Sequence, residues 1–336
     1  MSHAPSIRLA NIMAGAPQGG AEAFYERLTL ALHRAGEEVL PVIRRDAGRA
    51  QRLAEARPVE LRFGGALDIL TPMRLNRILT DWRPRVAMAW MNRAAGMTPR
   101  GEWTLVGRLG GYYDLKYYRH CDHLVGNTRD LRRWIISQGW PEERVHFLPN
   151  FASDFAGVAP APGLQLLAMG RLHANKGFDT LIRALALVPG AHLSIAGEGP
   201  ERAALEALAR ECGVADRLSL LGWREDTGGL LAGCDLFLCP SRHEPLGNVV
   251  LEAWSAARPV IAAAAQGPSE LIQDGETGLL VPVDAPEALA QAIRALLAEP
   301  ERAARLAAMG RAAFERDFAE ATVLAQWRDF LHKVQR

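Results

Sequence analysis

Two glutamates, Glu244 and Glu252, are separated by seven residues in the segment SRHEPLGNVVLEAW. Glu252 lies in an apolar run, where an ionised carboxylate is costly to bury without hydrogen-bond donors, and the vicinal hydroxyls of a ribose would supply them. Between the two, Pro245–Gly247 predicts a turn. Asn248 is placed to open a helix whose free backbone amides and positive dipole end favour an anion. Together these features predict a site for a nucleotide sugar, with its diphosphate at the helix start.

A second loop carries two cations, Arg171 and Lys176, after the apolar segment LQLLAMG. Lysine is rare here, because the chain has only three lysines among its 39 Lys and Arg residues. A forked guanidinium and a compact ammonium at one helix mouth suit phosphate oxygens. A pair of solvated surface cations is the alternative, and the neighbouring Gly170 favours the phosphate site because glycine lets backbone approach a ligand closely.

The Glu-x7-Glu pair resembles the signature of the retaining glycosyltransferases of family four, and the resemblance extends over most of the C-terminal half. The segments that follow one another in the family's order are MGRLHANKGFDTLIRAL, AGEGPERAALEALA, LLGW, CDLFLCPS, ARPVIAAA, ELIQDG and ETGLLVP. The resemblance implies a GT-B fold and catalytic roles for Arg171, Lys176 and Glu244. It also implies donor contacts from Gly170, Gly222, Trp223, Leu246, Gly247, Asn248 and Glu252.

The N-terminal half carries a weaker signal, the pair Gly19 and Gly20 between the first apolar segment and a predicted helix. It resembles the family's N-terminal glycine loop, which implies donor contacts there. A plain turn explains the same pair equally well.

The acceptor side departs from the family. Many members place a histidine on a loop after a middle strand, near the sugar, and the corresponding segments AWMNRAAGM and GRLGGYYDLKYY contain none. Aromatic faces beside a cation suit a saccharide or a phosphorylated sugar, with core packing as the alternative for the tyrosines. The acceptor candidates are Asn92, Tyr112, Asp114 and Lys116.

Apolar runs alternate with longer periodic segments along the 336 residues, which predicts parallel sheets covered by helices. The length accommodates two domains, and the segment FASDFAGVAPAPG predicts a linker. We therefore expect two Rossmann-like α/β domains, residues 1–155 and 156–317, with a donor and acceptor cleft between them. The resemblance implies that a terminal helix, 318–336, crosses back to the first domain.

Charge is divided unevenly between the two halves. The first 155 residues carry 22 Lys and Arg against 16 Asp and Glu, a net +6, and the remainder carries −5. The excess lies between Arg44 and Arg85, where arginines interleave with apolar residues and predict basic amphipathic helices that contact an anionic membrane, a solvated helix face being the alternative. Without a spanning segment or a signal-peptide pattern, we expect a cytoplasmic protein, peripheral at the inner membrane face. Nucleic acid is not an expected partner.

The expected reaction is transfer of a hexose with retention, from a nucleotide-diphosphate sugar to a glycan or lipid-linked acceptor in lipopolysaccharide or exopolysaccharide synthesis. No cofactor or metal is expected, because Arg171 and Lys176 supply the positive charge for the diphosphate and the four cysteines lack metal-site spacing. Two alternatives stay open. One is a GT-B sugar-nucleotide epimerase, which needs no acceptor; the other is a catalytically silent sugar-nucleotide binding protein.

Overall fold

The computed structural model describes residues 6–17, 19–65, 67–163 and 165–335. The chain divides into two compact units, Met1–Asn150 with Glu320–Arg336, and Phe151–Ala319. The sequence placed these boundaries at 155/156 and 317/318. The first differs because Ala152 lies in the hydrophobic core of the second unit and Phe155 packs against it, so the predicted linker begins inside that unit.

Among its described residues, the first unit has a parallel sheet of seven strands in the order β3-β2-β1-β4-β5-β6-β7. The strands are β1 (Arg8–Met13), β2 (Glu38–Arg44), β3 (Val59–Leu61), β4 (Val86–Trp90), β5 (Thr104–Leu109), β6 (His123–Gly126) and β7 (Val145–Phe147). The helices are α1 (Gly20–Arg34), α2 (Ala47–Arg52), α3 (Leu70–Trp82), α4 (Met91–Met97) and α5 (Arg129–Ser137). Strands β4 and β5 are buried along their whole length, as expected for central strands covered on both faces.

The described part of the second unit has a parallel sheet of six strands in the order β10-β9-β8-β11-β12-β13. The strands are β8 (Leu166–Met169), β9 (Leu193–Ala196), β10 (Leu218–Gly222), β11 (Leu236–Cys239), β12 (Val260–Ala263) and β13 (Leu279–Val281). The helices are α6 (Phe178–Ala186), α7 (Arg202–Glu211), α8 (Thr227–Gly233), α9 (Asn248–Ser255), α10 (Gln266–Leu271), α11 (Pro286–Ala298) and α12 (Pro300–Asp317). The two parallel α/β sheets confirm the predicted fold class.

The last helix, α13 (Glu320–Val334), belongs to the first unit. Its Trp327 is fully buried and lies 6.5 Å from the ring of Phe24 on α1. Its Arg328 pairs with the buried Glu37 at 2.7 Å, and the Val334 carbonyl accepts a hydrogen bond from the Thr104 hydroxyl at 2.6 Å. The terminal helix therefore returns to the first domain, as the sequence predicted.

In each unit the strand order reverses once, beside the unit's first strand. The reversal falls between β1 and β4 in the first unit and between β8 and β11 in the second. Open parallel sheets bind ligands outside the carboxyl ends of the strands at such a switch point. The loops that follow these four strands are therefore the places to look for chemistry.

Candidate functional site

The switch point of the second unit is flanked by the two loops that the sequence singled out. Arg171 and Lys176 follow β8, and Glu244 follows β11. Lys176 ends a short 3-10 turn, Ala174–Lys176, that leads directly into α6. The sheet therefore brings together charged residues that are 68 positions apart in the chain.

An ion pair between Lys176 Nζ and the Glu244 carboxylate is the centre of this site, with only 24% and 13% of the two side chains exposed. The Ser241 hydroxyl also donates to Glu244 Oε2, at 3.3 Å. Burial alone lowers the pKa of Lys176, but the Glu244 carboxylate outweighs it and Glu252 adds to it, so the pKa is raised. Lys176 is therefore a charged ammonium at neutral pH, where it can attract a phosphate.

Backbone contacts hold the two loops against each other. The N–H groups of Arg242 and His243 donate to the Asn175 carbonyl at 2.8 and 3.2 Å. Gly177 has a φ of 65°, and a Cβ there would lie 2.1 Å from the Pro240 carbonyl oxygen. Only glycine fits this crossing, because other residues rarely adopt that backbone conformation and would also collide with the neighbouring loop.

The Arg242 side chain strengthens the same junction. Its guanidinium donates to the Ala174 carbonyl at 2.7 Å and to both Asp179 carboxylate oxygens at 2.7 and 2.6 Å, and it pairs with Asp284 at 2.6 Å. Hydrogen bonds from Arg242 hold the pKa of Asp179 below its usual range. Arg242 therefore fixes the loop that presents Lys176.

The helix expected after the turn at Pro245–Gly247 is α9, which begins at Asn248. Gly247 precedes it with a φ of 91°, and Leu246 is buried. Glu252 lies one turn into the helix and is half-buried, whereas its neighbours Leu251 and Ala253 are fully buried. The expectation that Glu252 lies wholly within an apolar environment is therefore corrected: its carboxylate lies at the boundary of the core, near enough to influence Lys176.

Two further donor candidates lie at the carboxyl ends of β8 and β10, the strands on either side of β9. Gly170 directly follows β8 and Gly222 ends β10, and the Gly197 N–H donates to the Gly222 carbonyl at 2.8 Å. Trp223 is 61% exposed, an unusual position for so large an aromatic ring. Arg171 is also exposed, and it forms neither a hydrogen bond nor an ion pair with any residue the structure describes. Both side chains are available to a ligand.

At the switch point of the first unit, buried charges lie beneath the loop after β1, and Arg93 is exposed directly after β4. Gly19 and Gly20 are exposed at the start of α1, and a Cβ at Gly19 would lie 2.3 Å from the Glu22 carboxylate. Glu22 accepts a hydrogen bond from the Ala16 N–H at 2.9 Å, and Arg49 donates to the Ala16 carbonyl at 2.6 Å. The glycine at position 19 therefore makes room for an internal carboxylate, a reason that the sequence did not reveal.

The acceptor candidates are divided between two places. Asn92 lies in α4, directly after β4 at the switch point, and its Oδ1 is buried without a hydrogen-bond partner among the described residues. Tyr112, Asp114 and Lys116 follow β5 instead. Asp114 pairs with Lys116 at 2.7 Å, and the Tyr112 hydroxyl donates to Asp130 on α5. Since β4 and β5 are neighbouring parallel strands, the four candidates lie on adjacent loops of the sheet.

Comparison with known proteins identifies the family. Residues 163–299, which include both site loops of the second unit, match the family model described as "Glycosyl transferases group 1". The chain is 36% identical over 305 residues to the lipopolysaccharide core biosynthesis glycosyltransferase LpsE of Rhizobium meliloti (strain 1021), covering 87% of this chain and 89% of that protein. It belongs to the group 1 glycosyltransferases.

A second R. meliloti relative of this group 1 glycosyltransferase, the lipopolysaccharide core biosynthesis glycosyltransferase LpsD, is 35% identical and covers 94% of this chain and 96% of its own length. Among solved structures, Anabaena Alr3699/HepE in complex with UDP superposes with a TM-score of 0.84 at 22% identity, over 96% of this chain and 99% of that one. At that identity the superposition supports the fold alone, and it confirms the GT-B architecture of two Rossmann-like domains.

Sequence reasoning about this glycosyltransferase missed Arg242 and Gly267. The Gly267 N–H donates to the Glu244 carbonyl at 2.8 Å, and a Cβ there would lie 2.4 Å from the Leu246 backbone. Arg242 stands in the quoted SRHEPLG segment, so its position beside Glu244 was the available signal. Gly267 offered none, because its role depends on which loops the sheet places together.

In the ranges that the structure describes, no three His, Cys, Asp or Glu side chains are grouped so that they could hold a metal ion. None of the described helices is long and apolar enough to cross a membrane. In the predicted basic stretch around α2, Arg44, Arg45 and Arg52 are exposed, whereas Arg49 is fully buried and bonds to Glu26 at 2.9 Å.

Proposed function

We propose that this glycosyltransferase moves a hexose, with retention of anomeric configuration and without a metal ion, from a nucleoside-diphosphate sugar to a saccharide acceptor of the lipopolysaccharide core. The ion pair of Lys176 and Glu244 at the switch point is the observation that carries the donor half of the proposal. The similarity to LpsE and LpsD over most of the chain supports the acceptor half.

The charges of the site support a defined sequence of events. The acceptor oxygen forms its bond to C1 of the sugar on the face from which the bond between C1 and the diphosphate oxygen breaks, and the acceptor proton passes to that departing oxygen. Lys176 and the unpaired Arg171 stabilise the negative charge that develops on the diphosphate, with the start of α9 as a further source of positive potential. The Glu244 carboxylate, released by Lys176 as phosphate takes its place, is then free to accept hydrogen bonds from sugar hydroxyls.

The donor base is the first property to measure. Anabaena HepE was crystallised with UDP and with UDP-glucose, so uridine is the leading candidate here. Trp223 offers an exposed ring on which a base can stack. In a thermal-shift assay with UDP, GDP and ADP, we expect one of the three nucleotides to stabilise the protein. At a ligand concentration of a hundred times the dissociation constant, the gain in unfolding free energy should be roughly 2.7 kcal/mol. Glu252→Ala should abolish the shift.

Product analysis tests the reaction itself. With donor sugar and deacylated core oligosaccharide, we expect free nucleoside diphosphate and an elongated glycan whose anomeric coupling constant matches that of the donor. Conversion of the nucleotide sugar without an acceptor would favour an epimerase. Loss of activity in a chelator with recovery in manganese would refute metal independence.

We also propose that the first unit contacts an anionic membrane surface through the start of α3. Leu67, Ile69 and Met73 expose 96%, 72% and 67% of their surface within seven residues of the chain, beside the exposed Arg74 and Arg77. Apolar side chains flanked by arginines suit an interface of acyl chains and negative headgroups.

Vesicle flotation tests this contact. Wild-type protein should float with phosphatidylglycerol-containing vesicles and not with pure phosphatidylcholine, and the triple change of Leu67, Ile69 and Met73 to Gln should abolish flotation. The matched control is Leu187→Gln with Met309→Gln, which alters exposed apolar residues of the second unit. Equal flotation of the two variants would contradict the proposal.

A further inference from the structure

The first unit has a cavity of about 340 Å³ on its flank, between the 3-10 turn Leu115–Tyr118 and the C-terminal half of α5. Its walls include Tyr113, Trp134 and Trp140, and its polar groups include Asp114, Lys116 and Arg119. Sequence reasoning named Asp114 and Lys116 as acceptor candidates without the two tryptophans, which are 18 or more residues further along the chain.

The cavity begins beside the switch point of the same unit, because Tyr113 and Asp114 lie in the loop after β5. Gly19, Gly20 and Asn92 follow β1 and β4 at the carboxyl ends of the strands. Trp140, in contrast, comes after α5, which runs back toward the amino ends before β7 begins. The cavity therefore extends from the carboxyl-end loop after β5 toward the end of α5.

The aromatic walls are fixed in position. Tyr113, Trp134 and Trp140 are half-buried, and each packs against the hydrophobic core of the unit. Trp134 meets the Tyr112 ring edge-on, with centroids 5.3 Å apart, and the Tyr112 hydroxyl is held by Asp130. Rings held in this way offer an apolar surface at little entropic cost, which suits the C–H face of a pyranose.

The polar groups of the cavity are only partly used within the protein. In the described ranges, the indole N–H groups of Trp134 and Trp140 donate no hydrogen bond, and Arg119 forms neither a hydrogen bond nor a salt bridge. Lys116 is bound to Asp114 through both its backbone N–H, at 3.0 Å, and its ammonium, at 2.7 Å. Since that pair is neutral, Arg119 leaves the cavity with one uncompensated positive charge.

We propose that this cavity binds a sugar residue that carries a carboxylate or phosphate group, as an accessory site for the glycan on which the enzyme acts. The ring stacks on Trp134 and Trp140, the indole N–H groups and Asp114 bond its hydroxyls, and Arg119 takes the anionic group. The glycan role rests on the proposed function, whereas binding of an acidic sugar to the cavity can be measured without any transfer reaction.

Saturation-transfer NMR with four probes tests the site: glucuronic acid, glucose 6-phosphate, neutral glucose and inorganic phosphate. We expect wild-type protein to bind the first two in preference to the others. Arg119→Gln should reduce the signal of both acids at least fivefold, and Trp140→Ala should do the same. Arg133→Gln, which removes an exposed arginine of α5 that pairs with Asp130 outside the cavity, is the matched control and should keep wild-type binding.

Several results would overturn the proposal. Inorganic phosphate binding as strongly as glucose 6-phosphate would indicate an anion site without sugar recognition. Neutral glucose binding as well as glucuronic acid would remove the role of Arg119. Equal losses in Arg133→Gln and Arg119→Gln, or an absence of binding to wild-type protein, would also refute it. Since Trp140 packs on the core, the exposed Arg119 variant keeps the test decisive if Trp140→Ala fails to fold.

Transfer kinetics separate this proposal from the proposed function. In Arg119→Gln the acceptor KM should rise at least fivefold for a core oligosaccharide that contains an acidic sugar, while kcat and the thermal shift by the nucleoside diphosphate stay at wild-type values. A wild-type protein that binds glucuronic acid but transfers no sugar would refute the proposed function. The binding of an acidic sugar to the cavity would still be supported.

Discussion

The loops at the switch points of the two units are built differently. In the second unit, Lys176, Glu244 and Arg242 place charge directly at the loops beside β8 and β11. In the first unit, the charges of Glu22 and Arg49 are buried beneath the loop after β1, where Gly19 and Gly20 are exposed, and Arg93 is exposed directly after β4. The charged loops of the second unit suit a diphosphate that must be bound and released. The glycine loop of the first unit suits backbone contact with a neutral ligand. The comparison therefore places an ion pair at one switch point and a glycine loop beside an exposed arginine at the other.

Removing the positive charge of Lys176 from the second unit should have the largest effect on the reaction. Lys176→Ala should lower kcat roughly 100- to 1,000-fold, as removal of one preorganised group that stabilises developing negative charge does. Release of nucleoside diphosphate under saturating donor measures it. Lys333→Ala, on α13, is the control and should keep wild-type kcat; a similar loss in both variants would show that the Lys176 effect is not specific to the site.

Removing Arg242, which holds the loop of Lys176, should lower kcat less. Arg242→Ala should lower kcat roughly 10- to 100-fold through misplacement of Lys176, with the donor KM also raised. Arg224→Ala is a matched control, because Arg224 also bonds both carboxylate oxygens of an aspartate, Asp226, at 2.8 and 2.7 Å but does so on the exposed surface. Wild-type kinetics in Arg242→Ala would mean that the backbone contacts alone hold the loops.

Loss of the exposed Trp223 ring in the second unit should have a smaller effect, on donor affinity. Trp223→Ala should raise the donor KM roughly 5- to 30-fold, corresponding to about 1–2 kcal/mol of lost stacking on a base, while Trp223→Phe should keep most of the affinity. Isothermal titration with the nucleoside diphosphate measures both variants. Equal affinity in wild type and Trp223→Ala would leave base recognition to the backbone near Gly222.

The smallest expected effect is the pH dependence of nucleoside-diphosphate affinity. The pKa of Lys176 is raised in the folded protein, so its contribution to stability and to phosphate binding is fully present below the unfolded value and is lost only as pH rises through the folded one. Nucleoside-diphosphate affinity should therefore be flat from pH 7 to 9. In Glu244→Gln burial becomes the dominant influence and lowers the pKa of Lys176, so affinity should fall toward pH 9. A flat profile in that variant would contradict this account.

The donor site could be predicted from the sequence because its residues lie in contiguous motifs. Lys176 and Glu244 each stand in a loop directly after an apolar strand, so a parallel sheet alone brings them together. The contacts that support them could not be predicted, because Gly267 acts through the register between distant loops. Strand β3 could not be predicted either, because it is only three residues long and gives no local pattern.

The acceptor side was less predictable for a related reason. Four tyrosines in YYDLKYY looked equivalent in the sequence, but Tyr118 is buried in the core, Tyr112 is bound to Asp130, and Tyr113 lines the flank cavity. Which face each ring takes depends on the packing of α5, and the sequence pattern did not connect Trp134 and Trp140 to this segment. The burial of Arg49 could not be predicted for the same reason, because a buried arginine and a solvated one have the same sequence pattern.

The return of α13 to the first unit has a consequence for protein synthesis. Trp327 completes the packing around Phe24, yet the ribosome makes it only after the whole of Phe151–Ala319. At typical elongation rates this interval is on the order of ten to thirty seconds. During that time the first unit is on the nascent chain without its last helix, and an apolar surface beside α1 is exposed to chaperones. The second unit has all its elements in one stretch of chain and can finish folding first, although it is synthesised second.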